Sequence, residues 1–333
     1  MACPRKPGQL REQSVVLGES LDPTEKFMTK LTVAAIIPVF NGEPWILEAL
    51  HSVMNQTYPV DQIFVVDDAS TDRTAEVASL PGVTVIRLAR NSGHGAARNA
   101  GITQSSCDCI AMLDADDKWD TRHVEVLISL LEQYPEASIA CAATQRFGLR
   151  SEVITGYVPP GEPRNVFWEA YDDWLHTTIG ALFRKEALLS IGGFSEDQKY
   201  SVDYDLWLRL SSDHLFVSTH EVTSYWRWHT RQLSQNYPAQ LRAVYHYRYQ
   251  FWKACKAGRW KVDAAQVAKR FIERWLEHCA SYRREPDPRM RTCLLRTSLY
   301  LRPTNGRQIV RICKALVRLL VVDSAGHSRD AVR

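Results

Sequence analysis

The chain has 333 residues, of which 45% are hydrophobic, 24% charged and 10% aromatic, a profile that excludes disorder and collagen-like structure and supplies one large core or two modest ones. No apolar run approaches the roughly 18 residues of a membrane-crossing helix, and residues 1–30 lack the apolar stretch of a secretory signal, so the reading is a cytoplasmic protein. The net charge of +3 conceals an asymmetry: residues 241–333 carry 21 Lys and Arg against 7 Asp and Glu, while residues 1–240 carry 20 against 31, an acidic body with a basic tail. The 8 cysteines form no CxxC pair, which favours reduced thiols over disulfides or a zinc site.

Residues 1–30 are polar and aperiodic and read as a flexible tail, with Met28 a second candidate start. From Leu31 onward, short apolar runs alternate with helical stretches. Val33–Phe40, Gln62–Asp67, Val83–Leu88 and Cys109–Asp114 are continuous runs, as strands buried on both faces require. Helices are expected at Pro44–Gln56, where Ile46, Leu47, Leu50, Val53 and Met54 share a face, at Ser70–Ser79, and at the alanine-rich Gly95–Gln104. This spacing makes βαβ units and a doubly wound α/β sheet. Beyond Asp116 the pattern loosens into a helix at Thr121–Gln133, a strand at Ser138–Ala143 and a loop at Val158–Arg164. After Pro238 nearly everything reads helical, so the chain divides into a tail (1–30), an α/β domain (31–236) and a basic helical region (237–333).

The acids cluster at strand ends. Asp67 and Asp68 close the second strand, and Asp114, Asp116 and Asp117 close the fourth, where open α/β sheets bind their ligands. Crowded carboxylates repel unless a cation compensates, and an oxygen-rich set points to magnesium or manganese rather than zinc. The competing reading is solvated loop or N-cap aspartates. Gly93-His94-Gly95-Ala96-Ala97-Arg98 begins like a dinucleotide-binding GxGxxG, but Arg98 replaces the third glycine and the stretch follows the third strand, which argues against a nicotinamide enzyme.

Six segments in order, Ile36–Glu43, Phe64–Thr74, Asn91–Ile102, Met112–Trp119, Ile191–Asp197 and Ser201–Leu210, resemble the motifs of family 2 glycosyltransferases. The resemblance covers about residues 31–235 and implies a GT-A fold with a Rossmann-like mixed sheet, extended here by the carboxyl-terminal helices. It implies transfer of a sugar from a nucleotide-diphosphate donor, UDP being the first expectation, to a hydroxyl of a glycan or lipid-linked acceptor with inversion. Pro38, Val39 and Phe40 would contact the base, Asp68 would accept a hydrogen bond from it, and Asn91 and Arg98 would line the nucleotide pocket. Asp114 and Asp116 fall on the DxD motif, Asp114 toward the ribose and Asp116 toward a Mn2+ or Mg2+ ion bridging the diphosphate, with Asp117 an additional or substitute ligand.

Asp203 occupies the place of the family's general base. Its neighbour is Val202 where relatives commonly carry Glu, so the motif is incomplete. Asp203 reads alternatively as a helix N-cap, and Asp205 competes with it for the base. Tyr225–Ser234 resembles the family's closing segment, in which His229 is either structural or a ligand of the metal or diphosphate, and Arg227 or Arg231 neutralises phosphate. Two other readings stay open: a non-catalytic nucleotide-sugar-binding protein, motivated by Val202, and a sugar-phosphate nucleotidyltransferase.

Residues 239–333 lie outside the resemblance. Tyr245, Tyr247, Tyr249, Phe251, Trp252, Trp260, Phe271 and Trp275 read as the core of a small helical bundle. The segment 306–322 places Arg307, Arg311, Lys314 and Arg318 opposite Ile309, Ile312, Leu316, Leu319 and Leu320. Such a basic amphipathic helix either docks on the protein or contacts a membrane surface peripherally. No recognition motif for nucleic acid accompanies the charge.

Overall fold

Four parallel strands, Val33–Val39 (β1), Gln62–Asp67 (β2), Val83–Arg87 (β3) and Cys109–Met112 (β4), frame the fold in a computed structural model that describes residues 30–154, 159–172, 177–230, 232–284, 287–303 and 305–326. The expected tail with Met28, along with Val158 and Arg231, lies outside the described residues. β1 is buried along its whole length. Ala34 and Ile36 face one apolar core, while Val33, Ala35, Ile37 and Val39 face another, which is why its sequence is continuous rather than alternating.

The connecting helices are shorter than the sequence suggests. Ile46–Met54 (α1) buries Ile46, Ala49, Leu50 and Val53, whereas Leu47 and Met54 are 40% and 46% exposed on its flank. The stretch expected as a helix at Ser70–Ser79 yields only the single turn Thr74–Val77 (α2), because Ser70, Asp72 and Thr74 bond across to the neighbouring loop. His94–Gln104 (α3) follows β3.

Beyond β4 the sheet turns mixed, in the order β3-β2-β1-β4-β8-β6-β9-β5, with β7 on β6. Its further strands are Lys118–Trp119 (β5), Ile139–Gly148 (β6), Glu152–Ile154 (β7), Ala181–Arg184 (β8) and Phe216–Trp228 (β9). β8 runs antiparallel to β4 and β6, while β9 runs parallel to β6. The doubly wound expectation therefore fits the first half alone. His123–Gln133 (α4), Phe167–Asp172 (α5), Lys185–Ser190 (α6) and Val202–Leu210 (α7) complete this part.

The carboxyl-terminal helices are Tyr237–Lys256 (α8), Ala264–Arg284 (α9), Pro288–Thr297 (α10) and Gly306–Gly326 (α11). α8 starts where Asn236 accepts the Ala239 N–H and Pro238 fills the first turn. Tyr245, Tyr247, Phe251, Trp260, Phe271 and Trp275 are buried as expected, in the same cluster as α7 and strands of the sheet. The described residues from Leu31 onward form one compact unit, and none of their helices is long and apolar enough to cross a membrane. Among the described residues Cys107, Cys109, Cys141, Cys255, Cys279, Cys293 and Cys313 form no disulfide.

Candidate active site

Three groups of side chains meet at the carboxyl ends of β1, β2 and β4. The first is built by the loops after β1 and β2. Asn41 and Ala69 take left-handed backbone angles, with φ of 54° and 62°, a strained geometry that clusters at functional sites. The two loops are stitched together. Asn41 Oδ1 accepts the Thr71 N–H at 2.8 Å, and Ser70 Oγ accepts the Asn41 N–H at 2.9 Å. Pro38 and Val39 are buried within β1, and the Val39 carbonyl accepts the Asp68 N–H, so of the three expected base contacts only Phe40 presents a large exposed side chain.

Asp68 is buried, and its two carboxylate oxygens accept the N–H groups of Ser92 at 2.6 Å and Gly93 at 2.8 Å. It thus fixes the turn leading into α3 beside the exposed Asn91. The neighbouring Asp67 accepts the Ser70 N–H and lies 3.6 Å from Arg87.

The second group centres on Arg98. Its side chain is 5% exposed, and its Nη2 donates to Asp114 Oδ1 at 2.6 Å; the guanidinium also lies 5.1 Å from the Phe194 ring centre. Asp203 stands within electrostatic reach of both Arg98 and Asp114. Burial pushes its carboxyl above the ordinary carboxylate range, opposed chiefly by the Arg98 charge. Asp203 is not an N-cap: Ser201, with φ of 56°, holds that position, and Asp203 sits in the first turn of α7. Val202 is buried in the apolar core.

Asp205, the competing base, is committed elsewhere. It accepts Arg209 Nε at 2.8 Å and Nη2 at 2.6 Å and the Ser195 hydroxyl at 2.5 Å, while Arg209 Nη1 donates to the Ile191 and Gly193 carbonyls. This buried network shapes the 191–197 loop.

The third group depends on long-range pairing. β5 pairs with the end of β9, Lys118 opposite Tyr225, and this brings a segment more than 100 residues away beside the DxD turn. His229 Nε2 and Asp116 Oδ2 lie 2.9 Å apart, and the His229 ring packs on Trp45 at 4.6 Å. Burial and the Asp114 charge raise the Asp116 carboxyl above the usual range.

Asp117 is a poorer ligand than its position in the motif suggests. It is buried, accepts the Arg227 N–H at 2.7 Å, and is pushed well up by burial and by the Asp116 and Asp114 charges. Arg227 is likewise committed, donating from Nε to the Asp116 carbonyl at 2.8 Å and from Nη2 to Glu48; Arg231, the other arginine expected to neutralise phosphate, lies outside the described residues. Among the described residues no cluster of three or more His, Cys, Asp and Glu forms a ready metal cage. The Asp116–His229 pair nevertheless suits a divalent cation, because adjacent ligands about 2.1 Å from an octahedral ion are roughly 3 Å apart, with donor and water oxygens left to complete the shell.

Several contributors were not singled out by sequence. Asn99 accepts the Phe194 N–H at 2.8 Å and donates to the Phe194 carbonyl at 2.9 Å, tying α3 to the 191–197 loop. Gly95 permits that approach, since a Cβ there would collide with the Ser195 carbonyl. Gly95 therefore serves packing, while Gly93, with φ of 90° and open space around it, serves the turn into α3. His94 lies within electrostatic reach of Arg98, Asp114 and Asp68, and burial lowers its pKa.

Comparison with known proteins agrees with this geometry. The model of the family described as glycosyl transferase family 2 matches residues 34–192. An uncharacterized glycosyltransferase, YwdF of Bacillus subtilis, is 30% identical over 193 residues, 55% of this chain and 69% of that protein. The amylovoran biosynthesis glycosyltransferase AmsE of Erwinia amylovora is 28% identical over 187 residues, 54% of this chain and 69% of that one. The crystal structure of S. aureus TarS 1-349 in complex with UDP-GlcNAc shares the fold with a TM-score of 0.61 at 15% identity, over 89% of this chain and 92% of that one; so large a share reaches past the 31–235 resemblance into the carboxyl-terminal helices. With a relative of this identity covered over more than two thirds of its length, and with its acids gathered at the strand ends of a GT-A sheet, this chain belongs to glycosyl transferase family 2 and is a glycosyltransferase.

Proposed function

We propose that the enzyme moves a sugar from a UDP-sugar to a hydroxyl of a glycan or lipid-linked acceptor in one inverting displacement, as a step in making a cell-surface polysaccharide. The observation that carries this reading is the convergence of Arg98, Asp114 and Asp203 beside the Asp116–His229 pair. UDP-GlcNAc in the TarS complex supports the donor class, and the amylovoran role of AmsE supports the acceptor class.

In this reading Asp203 takes the proton from the acceptor oxygen as that oxygen attacks the anomeric carbon. A carboxyl raised by burial is a stronger base than a solvated one, and the Arg98 charge opposes that rise and favours the ionised form. Asp114, oriented by Arg98, accepts from the ribose. Pro38, Val39, Phe40, Asp68 and Asn91 bound the base. Asp116 and His229 would hold Mn2+ or Mg2+, whose charge stabilises the diphosphate leaving group when bound.

The test is a thermal-shift panel of UDP, GDP, CMP and dTDP, with and without Mn2+, on wild type and Asp116→Asn. A ligand at about 100 times its Kd adds about 2.7 kcal/mol, a shift of several degrees for a chain of this size. UDP should stabilise wild type in the presence of Mn2+, and Asp116→Asn should lose the metal-dependent part. A shift by another nucleotide alone overturns the UDP assignment, and no shift with any of them overturns the donor site.

A further inference from the structure

We propose that the outer face of α11 docks on an anionic lipid membrane. The sequence placed an apolar face of this helix opposite a basic one, and the structure divides it differently. Ile312 and Leu319 are buried and Leu316 and Ala315 packed against the core, so the inner face is already satisfied by the protein. Ile309, expected on that face, is instead 49% exposed.

The outer face carries two strips side by side. Val310, Cys313 and Val317, at i, i+3 and i+7, form an exposed apolar strip in which the valines are 52% and 57% exposed. Arg307, Arg311, Lys314 and Arg318, at i, i+4, i+7 and i+11, form an exposed basic one. None of these four cations makes an ion pair among the described residues, whereas the acids across from them are already neutralised: Glu273 lies 3.4 Å from Arg270 and Glu277 2.6 Å from Arg274. Between α9 and α11 runs a groove of about 650 Å³ lined by Arg311, Lys314 and Arg318 together with Leu276 and the already paired Glu273 and Glu277.

Unbalanced cations call for an anion, and the valines beside them decide which kind. A polyphosphate chain would meet the arginines and leave the apolar strip in water. A second copy of this basic region would repel. A layer of anionic headgroups over hydrocarbon satisfies both strips at once, with phosphate along the basic strip and acyl chain against the valines. The net excess of 14 positive charges in residues 241–333 acts in the same direction over a longer range.

The experiment sediments the full chain with phosphatidylcholine vesicles, with and without phosphatidylglycerol, at low and high salt. Wild type should pellet with the anionic vesicles and release in salt. Arg311→Gln/Lys314→Gln/Arg318→Gln should weaken binding about 100-fold, each cation near an anionic surface contributing on the order of fivefold. Val310→Ser/Val317→Ser should weaken it about tenfold with every charge in place. All these side chains are exposed, so melting temperature and any UDP-induced shift should match wild type, which separates this proposal from the donor assignment. Wild type left in the supernatant, or undiminished binding by the charge variant, overturns the proposal. Binding that needs the cations but ignores the valine pair overturns the membrane as the partner and leaves only an anion-binding patch.

Discussion

Arg98→Met removes the cation that the site shares between Asp114 and Asp203. The guanidinium is almost wholly enclosed and donates at 2.6 Å to an Asp114 side chain that is 36% exposed. Breaking a buried ion pair by removing one partner costs about 3–5 kcal/mol when the survivor stays dry. Here water reaches Asp114 once the arginine is gone, which places the loss at or just below the lower end of that range, about 2–3 kcal/mol, with a fall of roughly 5–10 °C in Tm. The same substitution takes away the main charge that opposes the rise of the Asp203 pKa. A general base must be unprotonated, so activity falls as pH drops through its pKa, and the acid limb of kcat/KM in Arg98→Met should move to higher pH than in wild type. Thermal unfolding and a pH–rate profile check both halves. A wild-type Tm together with an unmoved acid limb would refute the assignment of Arg98 as the shared counter-charge.

The two aspartates of α7 should separate cleanly: Asp203→Asn is expected to lower turnover about 10²–10⁴-fold with little change in Tm, while Asp205→Asn strands the enclosed Arg209 guanidinium and should destabilise by about 3 kcal/mol in urea titration. A normal rate for Asp203→Asn moves the base elsewhere. His123 is buried, stacked on Trp119 at 4.5 Å and bonded to Thr223, and burial lowers its pKa to about 3. The unfolded chain therefore takes up a proton near pH 6.5 that the folded chain refuses, so this histidine's contribution is complete above about pH 6.5 and shrinks by up to about 1.4 kcal/mol per pH unit as pH falls toward 3. Urea midpoints of wild type and His123→Gln between pH 4 and 7 should show that slope in wild type and not in the variant; parallel curves would mean that His123 is protonated when folded.

The sequence was most legible where one strand is buried on both faces. β1, β2 and β4 are short continuous apolar runs of this kind; β3, at the sheet edge, is only half-buried or exposed and does not meet that expectation, yet all four observed strands fall within the expected spans, ending no more than two residues earlier. β9 left no such run, because its pattern passes from buried Phe216 through exposed His220 and Glu221 to the half-buried Tyr225–Trp228. Its importance comes from pairing with β6 and β5, a relation between segments about 75 and 105 residues apart that local periodicity does not encode. The same gap explains Arg227. Its spacing in the motif suggested a phosphate ligand, but Glu48, 179 residues away, claims the guanidinium. The alternative reading of Asp203 as an N-cap does not hold because Ser201, in a left-handed backbone that a serine seldom takes, occupies that position.

The carboxyl-terminal helices brace the helix that carries the proposed base. α7 carries Asp203, and the next residue, Tyr204, is gripped from behind by α8: Arg248 Nε donates to the Tyr204 hydroxyl at 2.8 Å, and Arg248 Nη2 donates to the Tyr171 carbonyl at 2.6 Å. The guanidinium is buried with no carboxylate among its hydrogen-bond partners in the described residues, 4.9 Å from the Tyr171 ring and 5.5 Å from the Tyr204 and Tyr245 rings. A desolvated cation in such a place persists only where the surrounding dipoles and ring faces are fixed around it, so α5, α7 and α8 constrain one another through it. The family model ends at residue 192, before α7 begins. The helix that carries the carboxylate proposed as the base is thus held by α8 from the basic helical region and by α5 from the α/β part, through the one buried guanidinium of Arg248.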